Sequence, residues 1–256
     1  IAEAMRRGFA DRARHLGDPD FNPAMPVLRL TSKEYAAGLR ATIDAERASR
    51  SGPATFEWPA TGNETTHLSV VDADRNAVAL TTTLEQSYGS KIVVPGGGFL
   101  LNNEMGDFNA APGLTTATGL IGTEPNLAAP GKRMLSSMTP TIVAREGRLF
   151  MVTGSPGGRT IINTVLHTIL NVVDFGMNVQ EAVDAPRFHH QWLPDELRFE
   201  RRGLSPDTVA LLEARGHTLA TRTSQGAAHA IVFDAAADVL EGAADPRRAD
   251  AAAAGY

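Results

Sequence analysis

The pattern of apolar and polar positions predicts two β-hairpins in the middle of the chain. The first is predicted where two strand-like runs flank the turn Ala73-Asp74-Arg75-Asn76. The second surrounds Glu146-Gly147, and a further strand is predicted closer to the C-terminus. The predicted strands are residues 68–72, 77–83, 141–144, 149–152 and 230–233.

Segments with helical spacing lie on both sides of these strands. Thr31 and Glu34 form a predicted capping box at the start of the second helix. The predicted helices are residues 1–16, 31–48, 158–174 and 205–215. Residues 109–131 are rich in Gly, Pro, Ala and Thr and are predicted to form a long surface loop. Strands that are followed by helices and a last strand are typical of helices packed on an antiparallel sheet.

A stretch without periodicity separates the second helix from the first hairpin. It contains Ser49-Arg50-Ser51-Gly52-Pro53-Ala54, then Pro59 and Gly62-Asn63. Because these residues break both helices and strands, the stretch is predicted to be a mobile connector. It ends at Glu64-Thr65, directly before the first hairpin. Chemistry often lies just beyond such a segment.

Composition narrows the class of protein. The chain has 256 residues, of which 43% are apolar and 21% are charged, as in an ordinary soluble globular protein with a substantial core. Its net charge of −5 argues weakly against a nucleic-acid partner. It contains no cysteine, which excludes disulfides, zinc–thiolate sites and a cysteine nucleophile.

The N-terminal residues do not read as a natural start. Residues 1–7 have the character of a helix interior, lack the features of a signal peptide and do not begin with Met. We therefore expect any export signal to lie upstream. The sequence contains no apolar run of membrane-spanning length.

The segment Gly154-Ser155-Pro156-Gly157-Gly158 is the strongest local motif. It joins a predicted strand to a predicted helix, so the Gly157 and Gly158 amides are expected at a helix N-terminus. Such amides suit an oxyanion or a phosphate, although the lysine of a Walker motif is missing. A tight turn whose glycines adopt positive φ explains the same residues equally well.

Other chemically suggestive residues also have ordinary explanations. Ser136 and Ser137 could cap a turn, and Glu104 and Asp107 could either receive an ammonium group or lie in a solvated loop. Thr65-Thr66 is typical of the start of a strand. His189-His190, taken with His67, is a poor metal site because adjacent histidines point in different directions.

Several long motifs nevertheless occur in the order found in one family. The chain resembles the γ-glutamyltransferases (γ-glutamyltranspeptidases) of bacteria from Thr65 to Tyr256, which corresponds to their small subunit. The likeness extends upstream through Gly17-Asp18-Pro19-Asp20-Phe21, which resembles the tail of the large subunit. The matching segments are residues 65–72, 100–108, 132–142, 154–158, 185–194 and 245–256.

The resemblance implies an α+β fold, the αββα sandwich of N-terminal-nucleophile hydrolases, with the upstream part absent. It also implies a precursor that cuts itself before Thr65, so that residues 1–64 are the tail of the large subunit and residues 65–256 the small catalytic subunit. Thr65 is then the nucleophile, and its freed α-amine is the local base. Thr83 matches the threonine that hydrogen-bonds the nucleophile, and Gly157 and Gly158 match the oxyanion-hole glycines.

The resemblance likewise assigns the substrate-binding residues. Ser136 and Ser137 match residues that hold the α-carboxylate of the γ-glutamyl group, and Glu104 and Asp107 match those that hold its α-ammonium. Glu85 stands where many relatives have Asn, and its carboxylate should still accept from the ammonium. Residues 109–131 match a flap over the site. Thr118 replaces a Tyr found in some relatives, so this flap is expected to close less firmly.

The implied reaction is γ-glutamyl transfer from glutathione or another γ-glutamyl compound to water or an amino acid, without a metal or organic cofactor. The implied partner is the large subunit of the same precursor, and the implied location is periplasmic or secreted. The family's carboxylate-binding Arg has no counterpart in this chain, so the span alone is expected to be nearly inactive. Two alternatives stay open, a cephalosporin (glutaryl) acylase of the same superfamily and a non-catalytic fragment that binds a partner.

Overall fold

A computed structural model describes residues 1–52, 65–109, 111–118 and 120–255. Most of the predicted connector, including Glu64 at the predicted cleavage point, lies outside these residues. The helices in the described part are α1 (Ala2–His15), α2 (Val27–Leu30), α3 (Lys33–Ala41), α4 (Ile161–Val173), α5 (Val179–Asp184) and α6 (Pro206–Ala214). The strands there are β1 (Thr65–Val71), β2 (Ala77–Thr83), β3 (Thr141–Arg145), β4 (Arg148–Gly154), β5 (Phe188–His189), β6 (Leu197–Glu200), β7 (Leu219–Arg222), β8 (His229–Asp234) and β9 (Val239–Ala244).

The chain divides into two compact units, each built from separate stretches of sequence. The first contains the described residues of Ile1–Ala60, Glu104–Ser136 and Phe188–Arg222. The second contains those of Thr61–Asn103, Ser137–Arg187 and Thr223–Tyr256. These two units differ from the division into residues 1–64 and 65–256 that the resemblance implies, which refers to a cut in the backbone. That cut stays a prediction.

An antiparallel sheet in the order β3-β4-β8-β9 forms the centre of the second unit. Met151 on β4 belongs to an apolar core that includes Val179 and Val183 of α5, with Ile169 and Val172 of α4 packed against it. Burial of these aliphatic side chains removes apolar area from water, which is the main stabilising term of the unit. The two helices therefore cover one face of the sheet.

The β1–β2 hairpin belongs to the same unit and contacts β4 and β8. Side chains alternate between the faces of a strand, so Gly154 and Met151 of β4 face opposite ways. Gly154 lies under the ring of His67 from β1, which places the hairpin on the face opposite the helices. Hairpin, sheet and helices thus form successive layers, and the predicted α+β class is confirmed.

The first unit combines helices with a mixed three-stranded sheet, in which β6 pairs antiparallel with β5 and parallel with β7. A cluster of charges ties α1 to other stretches of the unit. Glu3 accepts from Arg6, Arg7 and the Ser49 amide, and Arg6 also pairs with Asp195. Burial alone would raise the pKa of Glu3, but hydrogen bonds from Ser49 and Arg7 and the charge of Arg6 lower it to about 2.

Most predicted elements of regular structure are present. Both hairpins, the last predicted strand and the helices around residues 1–16, 158–174 and 205–215 are confirmed within one to three residues at their ends. Elements with weak local signals were not predicted, namely α2, α5, β5, β6, β7 and β9.

The predicted capping box at Thr31 and Glu34 is wrong. Ser32 is the N-cap of α3, and its hydroxyl accepts a hydrogen bond from the Tyr35 amide at 3.1 Å. The Thr31 hydroxyl instead donates to the Val27 carbonyl at 2.9 Å, at the end of α2. The helix also ends at Ala41 rather than at residue 48. Ser and Thr are both good caps, so the local pattern alone did not select between adjacent hydroxyls.

The prediction of a surface loop at residues 109–131 is also too simple. Thr115, Leu120 and Asn126 are buried. The Asn126 side chain donates to the Asp107 carbonyl at 2.8 Å and accepts from the Leu135 amide at 2.9 Å. A buried side-chain amide can satisfy backbone groups that no regular element pairs, and this allows the described part of the segment to pack with only one 3₁₀ turn, Glu124–Asn126.

An ion pair between Arg187 and Asp245 is buried in the second unit, with a nitrogen–oxygen distance of 2.7 Å and 1% of each residue exposed. Arg187 also donates to the Val183 and Gln225 carbonyls, and Asp245 accepts from the Ala228 amide. Burial alone would raise the pKa of Asp245, but the positive charge of Arg187 holds it below its ordinary value.

Removal of one partner of this pair should be costly. In the full-length protein that carries this chain, Asp245→Ala should lower the free energy of unfolding by about 3–5 kcal/mol, because it leaves the buried Arg187 charge uncompensated. Glu46→Ala is the control, since Glu46 pairs with Arg215 at the surface and its side chain is 81% exposed. It should cost about 1 kcal/mol or less. Equal losses in urea denaturation would contradict this assignment.

Candidate active site

Thr65 and Thr83 face each other at the open end of the first hairpin. Thr65 is the first residue of β1 and Thr83 the last of β2, and the antiparallel register makes them direct partners. The Thr65 hydroxyl donates to the Thr83 hydroxyl at 3.2 Å. Thr83 also accepts from the Glu85 amide at 2.9 Å. The structure therefore joins three of the residues selected from the sequence, with Glu85 in the left-handed region at φ 72°.

Thr66, the neighbouring hydroxyl, does not take part in this arrangement. It lies on the exposed face of the hairpin with Leu68, whereas Thr65 and His67 lie on the opposite face. The strand geometry thus distinguishes two threonines that the sequence pattern treats alike.

The segment Gly154–Gly158 leads from β4 into a 3₁₀ turn at Gly158–Thr160 and then into α4. Gly157 has φ 136° and Gly158 has φ 56°, a backbone region that side chains disfavour. A Cβ atom on Gly157 would also lie 2.8 Å from the Thr160 hydroxyl. Both glycines are required by the backbone, and their position at the start of a helical segment favours negative charge near their amides.

Ser155 fixes the same segment from inside the protein. It is fully buried, accepts from the Ala227 amide at 3.0 Å and donates to the Pro156 carbonyl at 2.6 Å. A buried hydroxyl that both accepts and donates restricts the backbone beside it. The segment is therefore held in one conformation by its own hydroxyl and by residues 225–228.

The other selected residues fall in different parts of the chain. Glu104 is buried and Asp107 is half-buried at the ends of a 3₁₀ turn in the first unit. Ser136, in the same unit, is exposed, and its carbonyl accepts from Arg12 at 3.4 Å. Ser137 is buried and belongs to the second unit, as do Thr65, Thr83, Glu85, Gly157 and Gly158.

The histidines weighed as metal ligands have structural partners. His189 bonds the Gln191 side chain at 2.9 Å, and His190 accepts from the Trp192 amide at 3.2 Å, both in the first unit. Within residues 1–52, 65–109, 111–118 and 120–255, no group of three or more metal-binding side chains is assembled. Across the same residues, no helix combines the length and apolar character needed to cross a membrane.

His67 is a site residue that sequence reasoning missed, because it was weighed only as a metal ligand. The residue is 4% exposed, and its ring bonds the Thr81 hydroxyl through Nδ1 at 2.7 Å and the Ser69 hydroxyl through Nε2 at 2.9 Å. Burial, and to a lesser extent the neighbouring His229, lower the pKa of His67 to about 4. The imidazole is therefore neutral at pH 7. Its place two residues after Thr65 was the only signal available.

Comparison with known proteins identifies the class and then the family. A family model described as Gamma-glutamyltranspeptidase matches residues 1–255. A glutathione hydrolase proenzyme of Escherichia coli K12 is 49% identical over 259 residues, which cover 100% of this chain and 44% of that protein. A Helicobacter pylori gamma-glutamyltranspeptidase T380A mutant structure is 48% identical with a TM-score of 0.67, covering 72% of this chain and 100% of that one.

A cephalosporin acylase structure from Bacillus halodurans is also similar, at 27% identity and a TM-score of 0.78, over 96% of this chain and 42% of that one. These likenesses and the layered α+β arrangement define the fold of the N-terminal-nucleophile hydrolases. The chain belongs to the gamma-glutamyltranspeptidase family. It spans less than half the length of the curated relatives it matches.

The low pKa of His67 gives a pH dependence of stability whose sign is defined. Between about pH 6.5 and pH 4 the unfolded chain binds a proton at this position and the folded protein does not. Acid therefore favours unfolding across this range, and the contribution of a neutral His67 is complete only above about pH 6.5. His67→Gln in the full-length protein should flatten the fall in thermal midpoint between pH 7 and pH 4.5. An unchanged slope would show that His67 titrates normally.

Proposed function

We propose that the full-length protein carrying this chain transfers γ-glutamyl groups, through an acyl-threonine intermediate, to water or an amino acid. Glutathione is the proposed natural donor, by analogy with the glutathione hydrolase proenzymes among its relatives. The observation that carries the proposal is the Thr65–Thr83 hydroxyl pair, 3.2 Å apart, at the first residue of β1. In this proposal the precursor cuts itself between Glu64 and Thr65.

The chemistry requires an activated hydroxyl, because an alcohol is a poor nucleophile at neutral pH. After the cut, the α-amine of Thr65, with a pKa of about 8, takes the proton of the Thr65 hydroxyl. The oxygen attacks the γ-glutamyl carbonyl, the α-amine passes its proton to the donor's nitrogen, which leaves as an amine, and an ester on Thr65 remains. Water or an amino-acid amine then opens this ester. The Thr83 hydroxyl orients the Thr65 oxygen, since the two are partners in the hairpin register.

The tetrahedral intermediate carries a negative oxygen, which needs fixed donors. We assign this role to the Gly157 and Gly158 amides, which begin the helical segment before α4. Loss of one such donor typically costs about 3–4 kcal/mol in the barrier, far more than an ordinary hydrogen bond contributes to stability. The buried contacts of Ser155 support the role, because a donor pair must be rigid to act in this way.

The γ-glutamyl group carries both charges of an amino acid, so it needs acceptors and donors. Glu104 and Asp107, with Glu85, are proposed to accept from its α-ammonium. Ser136 and Ser137 are proposed to donate to its α-carboxylate. The remainder of the precursor is proposed to supply the large subunit, including an Arg for the carboxylate. A periplasmic or secreted location follows only from the resemblance and belongs to the same proposal.

A glutaryl acylase is the second candidate function, and the similarity to a cephalosporin acylase favours it. A glutaryl group has the same carbonyl chemistry but no α-ammonium. Asp107, Ser136 and Ser137 suit an amino acid at that position, so the γ-glutamyl activity is the better supported of the two. The third possibility from the sequence, a fragment without catalysis, is tested by the nucleophile variants below.

Thr65 variants test the nucleophile. In the full-length precursor, Thr65→Ala should abolish both self-cleavage and turnover, because the same oxygen serves both. Thr65→Ser should keep some of each, since the hydroxyl remains but the methyl group that restricts its rotamer is lost. Gel analysis and a γ-glutamyl-p-nitroanilide assay measure the two activities.

Thr66→Ala is the matched control, because Thr66 lies on the exposed face of the same strand. It should still cleave, and N-terminal sequencing of the small fragment should still read Thr65 first. Cleavage by Thr65→Ala, or a new N-terminus at residue 66, would show that the nucleophile is assigned wrongly.

Asp107→Asn tests the ammonium site and separates the two candidate functions. The change should reduce kcat/KM for a γ-glutamyl anilide about tenfold to hundredfold, because a charge-assisted hydrogen bond contributes about 1.5–3 kcal/mol. A glutaryl anilide, which has no amine, should lose much less. Asp74→Asn, in the exposed turn of the first hairpin, is the control for removal of a charge. Equal losses on both substrates would mean that Asp107 is structural.

A further inference from the structure

The contact between β1 and β4, which we call the joint, is made by His67 of β1 and Gly154 of β4. His67 lies two residues after Thr65 on the same face of the strand. Both nitrogens of its ring are bonded within the hairpin, to Thr81 and Ser69. A neutral imidazole has one donor and one acceptor nitrogen, and hydroxyls can satisfy either. The ring therefore has a single orientation, and it lies over Gly154 of the neighbouring strand β4.

Gly154 supplies the space that this ring occupies. A Cβ atom at Gly154 would lie 2.1 Å from Cε1 of His67, 2.2 Å from Nδ1 and 2.6 Å from Nε2. Gly154 does not have a positive φ, so its backbone conformation is open to any residue. The need for glycine at this position is consequently a need for space, and the ring of His67 is what fills it.

His229 holds the same point of β1 through the backbone. Its Nδ1 donates to the His67 carbonyl at 3.0 Å, and His229 is the register partner of Gly154 across β4 and β8. The two imidazole rings are stacked, with centroids 6.4 Å apart. One residue of β1 is thus attached to two adjacent strands of the central sheet, by its side chain to β4 and by its carbonyl to β8.

The two parts of the proposed catalytic apparatus extend from this joint. Thr65 lies two residues away, about 7 Å along β1. The Gly157 and Gly158 amides follow Gly154 by three and four residues. A displacement of β1 on β4 would move the nucleophile relative to the oxyanion donors, and a shift of about 1 Å between reacting groups can cost about a hundredfold in rate.

Resting on the function proposed above, we propose that His67 is a positioning residue, whose ring in the Gly154 space sets the register between the nucleophile Thr65 and the oxyanion amides. It touches neither the substrate nor the reacting atoms. Its effect should therefore appear in kcat and in the rate of self-cleavage, with KM for the γ-glutamyl donor almost unchanged.

A double-mutant cycle in the full-length precursor tests this role, with kcat normalised to the processed fraction. His67→Ala should lower kcat about a hundredfold and leave KM within about threefold. Gly154→Ala alone should be at least as damaging, because the new methyl group displaces the ring. In the double variant, Gly154→Ala should add no further loss, since the ring is already absent. Equal losses from Gly154→Ala with and without the ring would overturn the proposal.

Two further variants separate positioning from general instability. Thr81→Val keeps the shape of its side chain and removes the Nδ1 partner, so it should lower kcat about tenfold in a folded protein. His167→Ala deletes another buried histidine, on α4 of the same unit, and should reduce the thermal midpoint with kcat within about threefold. If Thr81→Val and His67→Ala lower only the midpoint, His67 is structural and the proposal is wrong.

The Thr65→Ala variant keeps the two proposals distinguishable. If Thr65→Ala is inactive while His67→Ala retains full kcat, the positioning role fails and the proposed function stands. If Thr65→Ala retains turnover, the proposed function fails, and the positioning role fails with it.

Discussion

A buried ion pair between Arg187 and Asp245 constrains the second unit, because neither charge can lose its partner without a large cost. Two charges at 1% exposure are stable only when each has a partner and further hydrogen bonds, and here backbone groups on both sides of the pair supply such bonds. The pair joins the end of α5 to Gln225 and Ala228. Between those two residues, the Ala227 amide donates to the Ser155 hydroxyl. Residues 225–228 therefore connect the buried ion pair to the glycine segment.

The loop around Gly226, which packs on the glycine segment, is ordered without belonging to a helix or a strand. Gly226 has φ 66°, and a Cβ atom there would lie 2.7 Å from both the Ser155 and the Thr164 hydroxyls. A loop packed this closely against α4 and the segment after β4 can take one conformation only. The fixed conformation of the candidate oxyanion donors therefore depends on packing and on the buried ion pair as well as on backbone hydrogen bonds.

Elements that local periodicity determines could be predicted from the sequence. Elements that depend on residues elsewhere in the chain could not. Both hairpins followed from strand-like runs around short turns, and their register then makes Thr65 and Thr83 partners. Ser32 rather than Thr31 caps α3, because Thr31 already bonds the end of α2. With only four residues, α2 was too short to predict. The strands β5, β6 and β7 carry weak local signals because they have only two, four and four residues.

Within the candidate site, the motifs that carry the family resemblance also contain most of the selected residues. His67 was overlooked because its ring occupies space left by the absent side chain of Gly154, which is 87 positions further along the sequence. Arg187 and Asp245 both stand in matching motifs, yet no spacing rule links an Arg to an Asp 58 positions away. Pairings of this kind come from the tertiary fold.

The place of Thr65 in a hydrogen-bonded ladder has a consequence for the cleavage that we propose before this residue. A new chain terminus normally frays, and its first residue samples many conformations. Here the first residue is already opposite Thr83, and the third residue is fastened to two neighbouring strands. Under the proposed cleavage, the entropy of ordering the new terminus is lost once, when the precursor folds, and not again in each catalytic cycle. The proposed nucleophile would then behave as an interior residue that carries a free amine.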